Sequence, residues 1–168
     1  TLAPATPPLC AIGVAMEIPF AQLCPGSPGM FDVYRSVTVG TFHAFCAQLL
    51  RQHIRRLGYS PHFAIASDAY QTGLVRNLMA ELGFVGEGCD PSAWLGLISK
   101  AKAALLDPDG LRATDWPQAA DVAVVYEHYQ QRLQDMDLLD FDDLLMLTHR
   151  LWEGNADLLE AHRERYRY

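Results

Sequence analysis

Apolar positions in this chain fall into two textures, and the change comes at Ser36. Beyond it Val37, Thr38 and Val39 form a short β-prone run that Gly40 terminates. Phe42, Phe45, Cys46, Leu49, Leu50, Ile54 and Leu57 then recur near the helical period, with Arg51, Gln52, Arg55 and Arg56 opposite and Gly58 as a stop. The spacing predicts a strand, a tight Thr-Phe-His turn and an amphipathic helix. A second helix is capped by Ser67 or Asp68, carries Tyr70, Leu74, Val75, Leu78, Met79 and Leu82, and ends at Gly83. Pro91 opens a third through Trp94, Leu95, Ile98, Ala101 and Leu105, stopped near Pro108 and Gly110. Pro117 opens a fourth with Val122, Val125, Tyr126, Tyr129 and Leu133. Asp140 precedes a fifth, closed by Gly154, and Ala156 to Arg165 reads as a sixth. The prediction is a mainly helical body entered by one strand, with no repeat period that would make it a solenoid.

Residues 1–36 have the other texture. Pro4, Pro7, Pro8, Pro19, Pro25 and Pro28 each fix φ and remove a backbone donor, so at most brief strands such as Leu9 to Ala15 are expected there. At 168 residues and half hydrophobic, the chain can bury one respectable core. Cys10, Cys24, Cys46 and Cys89 form no CxxC pair and read as thiols in a reducing cytosol rather than as zinc ligands or disulfides. No transmembrane span or signal peptide is legible, and a cytoplasmic address is the expectation.

The formal charge of −7 does not announce a nucleic-acid binder. Its distribution qualifies that reading: Arg51, Arg55 and Arg56 cluster, whereas Asp121 to Asp143 holds seven acids against Arg132. A GxxxxGK[ST] phosphate loop is absent, and the two lysines, Lys100 and Lys102, lie within a predicted helix. The "LDFDDLL" run, Leu139 to Leu145, concentrates Asp140, Asp142 and Asp143. Capping and dipole complementation explain it better than a metal site or a carboxylate pair. His43 and His53 do not belong to one site, and no nucleophile elbow is present. The turn at Thr41, Phe42 and His43 does bring together a hydroxyl, an aromatic plane and an imidazole, groups suited to gripping a single strand by phosphate contact and base stacking.

These residues carry a resemblance. "VGTFHAFCAQLLRQHIRRLGY", "ISKAKAALLDP" and the segment from Val125 to Tyr168 resemble, in order, three segments of the UvrD/Rep-type superfamily 1 helicases. The resemblance implies an ATP- and Mg²⁺-dependent motor of two RecA-like domains that moves 3′ to 5′ on single-stranded DNA and unwinds duplex in repair or replication. It implies a helical subdomain inserted into an incomplete RecA-like α/β motor domain. Residues 1–36 stay unassigned, 37–45 give the strand and turn of the first motor domain, 46–137 the helical insertion, and 138–168 the return into the motor. By the same resemblance Thr41, Phe42 and His43 lie along the single-strand path, and single-stranded DNA and the duplex junction are the partners; Arg51 and Arg55, from the basic helix face, join the turn as expected DNA contacts. The family's phosphate loop lies upstream of the turn and its acidic metal motif downstream of the last residue, so the chain is expected to be partial and not to bind or hydrolyse ATP alone. The rival expectation is a free-standing helical interaction or DNA-binding module without motor activity, its acidic stretch facing a protein.

Overall fold

The structure is a computed structural model that describes residues 40–86 and 88–165. The run Val37 to Val39, the brief strand expected at Leu9 to Ala15, and Cys10 and Cys24 lie outside the described residues. The chain divides into two compact units, residues 1–45 and residues 46–168.

The described part of the first unit begins helix α1, Phe42–His53. The Thr-Phe-His segment is therefore not a free turn: Phe42 and His43 already belong to the helix, and Thr41 starts it. The Thr41 hydroxyl accepts from Ala44 N at 3.2 Å, and its carbonyl accepts from Phe45 N at 3.1 Å. A β-hydroxyl in this position satisfies donors that a helix start leaves without intrahelical partners.

In the second unit the expected helices form, with ends set by caps. α1 tightens into a 3₁₀ turn at Ile54–Leu57, stopped by Gly58 in the left-handed region. α2, Asp68–Glu81, is capped by Ser67, whose side chain accepts from Tyr70 N. α3, Pro91–Ala103, is capped by Asp90 with Pro91 in its first turn. It stops earlier than its apolar spacing suggests, since Asp107 caps a separate short helix α4, Pro108–Arg112. α5, Ala119–Asp135, follows Gln118 rather than starting at Pro117. Gln118 holds φ 59°, and its amide is occupied: Oε1 accepts from Trp94 Nε1 at 3.2 Å, and Nε2 donates to Gly88 O at 3.3 Å. α6, Phe141–Glu153, and α7, Ala156–Arg165, close the described chain.

One element went unexpected. β1, Ala64–Ile65, pairs in parallel with β2, Leu138–Leu139. Two residues a side leave no alternation for a sequence to display, and the partners are far apart in the chain. The core of this unit sits where α2, α3 and α5 meet, around Val75, Leu78, Trp94, Ile98, Val125 and Tyr129, all buried. Their side chains recur at helical spacing on three amphipathic faces, which is why the sequence folds this way. Cys46 and Cys89 are free, and burial pushes the Cys46 thiol up. No helix among the described residues is long and apolar enough to cross a membrane.

Candidate nucleic-acid interface

The residues expected to grip a strand are distributed over both units. In the first, Phe42 stands 82% exposed at the start of α1, beside the Thr41 hydroxyl and the half-buried His43. The first turn of α1 carries no acid, so its partial positive charge and open amides face no competing carboxylate of that turn. The Thr41 hydroxyl accepts one hydrogen bond at the cap, and a hydroxyl that accepts there can also donate its proton.

In the second unit the three arginines have different surroundings. Arg51 lies on α1 with its guanidinium 5.5 Å from the Phe63 ring centroid, whereas Arg55 sits exposed on the 3₁₀ turn. Arg56 is occupied by Asn155 Oδ1 at 2.8 Å and Asp157 Oδ2 at 3.1 Å at the start of α7. That hydrogen bond holds the exposed Asp157 carboxyl below its ordinary range. Arg51, Arg55 and Arg56 are all exposed, and the helix tightens its pitch between the first and the other two, at Ile54. His53, expected to share no site with His43, faces His162 with ring centroids 6.2 Å apart. Burial, Arg56 and His162 hold the His53 imidazole below its ordinary pKa.

The acids of the "LDFDDLL" run behave as caps, and more. Asp140 caps α6, accepting from Asp143 N at 2.8 Å, and the Asp143 side chain reciprocates by accepting from Asp140 N at 3.1 Å. Both carboxylates also receive Lys102, whose ammonium donates to Asp140 Oδ2 at 2.6 Å and Asp143 Oδ1 at 2.8 Å with no side-chain exposure. Tyr129 donates to Asp140, Gln130 donates to Asp143, and the Lys102 ammonium lies 5.1 Å from the Tyr129 ring centroid. Burial is the largest influence on Asp143 and pushes its carboxyl above the usual range against the pull of Lys102. Burial and the nearby carboxylates push the Tyr126 and Tyr129 phenols well above theirs. Sequence reading found the cap and missed the lysine, since a lysine in a helix reads as a solvated charge.

It also missed Phe141. As the first residue of α6 it is 50% exposed, and with Phe42 it makes up the exposed Phe, Tyr and Trp side chains among the described residues. It borders an open pocket of about 300 Å³ shared with Leu95, Gly96, Ser99, Asp68 and Asp142. The one sequence signal was an aromatic flanked by Asp140 and Asp142 in a first turn, where a buried position is unexpected.

Both lysines are engaged among the described residues. Lys102 is committed to two buried carboxylates, Lys100 lies 4.0 Å from the Trp116 ring centroid, and no cluster of histidine, cysteine or acid side chains could hold a metal ion.

A mainly helical chain with this geometry belongs to the UvrD/REP helicase N-terminal domain family, whose model matches residues 16–168. That match reaches into the proline-rich stretch left unassigned by composition. The chain is similar to the ATP-dependent DNA helicase PcrA of Leuconostoc citreum, 35% identical over 82% of this chain and 18% of the relative. Against the PcrA of Bacillus subtilis (strain 168) it is 32% identical over 84% of this chain and 19% of the relative. Against that of Staphylococcus aureus (strain Mu50 / ATCC 700699) the identity is 31%, over 82% and 19%. The chain thus spans about a fifth of the length of these relatives.

Proposed function

We propose that this chain is a portion of an ATP-dependent DNA helicase and that its own contribution is to hold single-stranded DNA. Residues 37–45 supply the strand and grip of a first RecA-like motor domain, 46–137 its helical insertion, and 138–168 the return. Thr41, Phe42, His43, Arg51 and Arg55 are assigned to DNA, and within the second unit the exposed Phe141 is taken as a further stacking surface. ATP and Mg²⁺ belong to the whole motor, which the resemblance describes as moving 3′ to 5′ in cytoplasmic DNA repair or replication. No catalytic step is assigned to this chain.

The observation that carries the reading is Phe42, 82% exposed at a helix start whose first turn bears no acid. A solvent-facing phenylalanine gains nothing for the core, whereas base stacking on an aromatic plane rewards that exposure. Fluorescence anisotropy of the 168-residue chain with a labelled oligonucleotide at low salt is the direct test. Phe42→Ala is expected to weaken binding by about fivefold or more, the scale of one lost stacked base. Binding should also fall steeply as salt rises, because phosphate contacts release counterions. An absence of binding at low salt, or equal affinity for the variant, would overturn the assignment.

A further inference from the structure

Phe141 lies inside the capping box, with Asp140 before it and Asp143 two residues after. Two reciprocal backbone bonds are all that a capping box requires. Here the two carboxylates accept four more: two from Lys102 on α3, one from Tyr129 and one from Gln130 on α5. Lys102 is 1% exposed and both acids are nearly or fully buried, so three charged side chains have been withdrawn from water around a single helix start. An apolar plug would fill this place at lower desolvation cost. What an apolar plug could not do is supply the carboxylates that accept from the Asp140 and Asp143 amides and are tied in turn to α3 and α5.

The consequence falls on Phe141. With Asp140 and Asp143 tied inward from α3 and α5, the residue between them has its backbone held from both sides, and its ring stands half exposed at the pocket beside Leu95, Gly96 and Ser99. We propose that Lys102 is a positioning residue for single-strand binding: through Asp140 and Asp143 it locks the first turn of α6 and so presents Phe141 to a base. This inference rests on the reading of Phe141 as a stacking surface. A pre-ordered ring binds without the cost of ordering the turn at the moment of contact.

The test is a double-mutant cycle on oligonucleotide affinity in the 168-residue chain, with helical circular dichroism confirming folding. Phe141→Ala is expected to weaken binding about tenfold, and Lys102→Met about fivefold, because the ring is kept but its placement is lost. In the Phe141→Ala background the Lys102→Met loss is expected to shrink to within about twofold, the signature of two residues acting as one. Tyr129→Phe removes one hydrogen bond to Asp140 and keeps the packed ring, so it serves if Lys102→Met does not fold. Its smaller loss, about two- to threefold, should likewise vanish in the Phe141→Ala background. Equal losses in both backgrounds would overturn the positioning role and leave Phe141 as a contact. An inert Phe141→Ala would overturn the stacking reading itself, and the proposal with it.

Discussion

Replacing Lys102 with methionine is expected to cost the unit of residues 46–168 about 3–5 kcal/mol, the usual penalty for breaking a buried ion pair by removing one partner. The charge is not merely lost. Asp140 and Asp143 stay where they are, buried, hydrogen-bonded to each other's backbone amides and no longer neutralised. The thermal midpoint should fall by about 10–20 °C, taking roughly 3–4 °C per kcal/mol for a unit of this size. The companion variant Lys102→Met/Asp140→Asn/Asp143→Asn should recover most of that loss, since it removes the stranded charges along with their partner. A single variant that melts like the parent would show that the triad contributes nothing.

The same variant predicts a direction with pH. Lys102 is the largest influence lowering the Asp143 carboxyl, against burial and Asp140, which raise it. Without the lysine, the folded-state value rises further above that of the unfolded chain. A group whose folded value lies above its unfolded one favours the folded state below the unfolded value and loses that contribution as pH rises through the folded one. The Lys102→Met variant is therefore expected to regain stability on mild acidification toward pH 5, relative to the parent. Melting curves of both proteins across pH 5–8 check it, and parallel curves would contradict it.

How much of this was legible follows from what a side chain declares locally. Ser67, Pro91, Asp140 and Gly58 declare helix ends, because the chemistry of a helix end lies within four residues of it, and the structure uses each of them so. The apolar faces of α2, α3 and α5 were readable for a similar reason, as periodicity is a property of one segment. Relations across long separations were not. Lys102 meets Asp140 from 38 residues away, and nothing in "ISKAKAALLDP" distinguishes it from the exposed Lys100 two positions earlier. The parallel pairing of β1 with β2 is hidden in the same way. Arg56 shows the converse: in sequence it joins a basic cluster, and in the fold it pairs with the distant Asn155 and Asp157. For the candidate site, the aromatic and hydroxyl at Phe42 and Thr41 are visible in the sequence, while the half-exposed ring of Phe141 is not, because exposure is set by elements distant in the chain.

Trp94 joins the legible and the hidden levels, and its removal is the second large effect expected. Helical spacing assigns it to the apolar face of α3, and the structure buries it to 1% exposure, with the Phe84 ring edge-on at 5.1 Å. Trp94→Ala should cost about 3–5 kcal/mol, the range for emptying a buried aromatic site. Trp94→Phe separates two causes within that loss. It keeps most of the apolar contact and deletes the indole N–H, so the Gln118 Oε1 that accepted it loses its partner in a partly buried setting. That loss alone should cost about 0.5–1.5 kcal/mol, the net worth of one hydrogen bond, since Gln118 is itself exposed. Gln118 holds a left-handed backbone before α5 and reaches Gly88 with its other amide atom. Freeing it should therefore loosen the junction from Gly88 to Gln118 before the core itself opens. Amide hydrogen exchange read residue by residue would show this as faster exchange at the start of α5 in Trp94→Phe, with α2 still protected. Uniform acceleration through α2, α3 and α5 would mean instead that the indole bond stabilises the whole unit and that Gln118 has no local role.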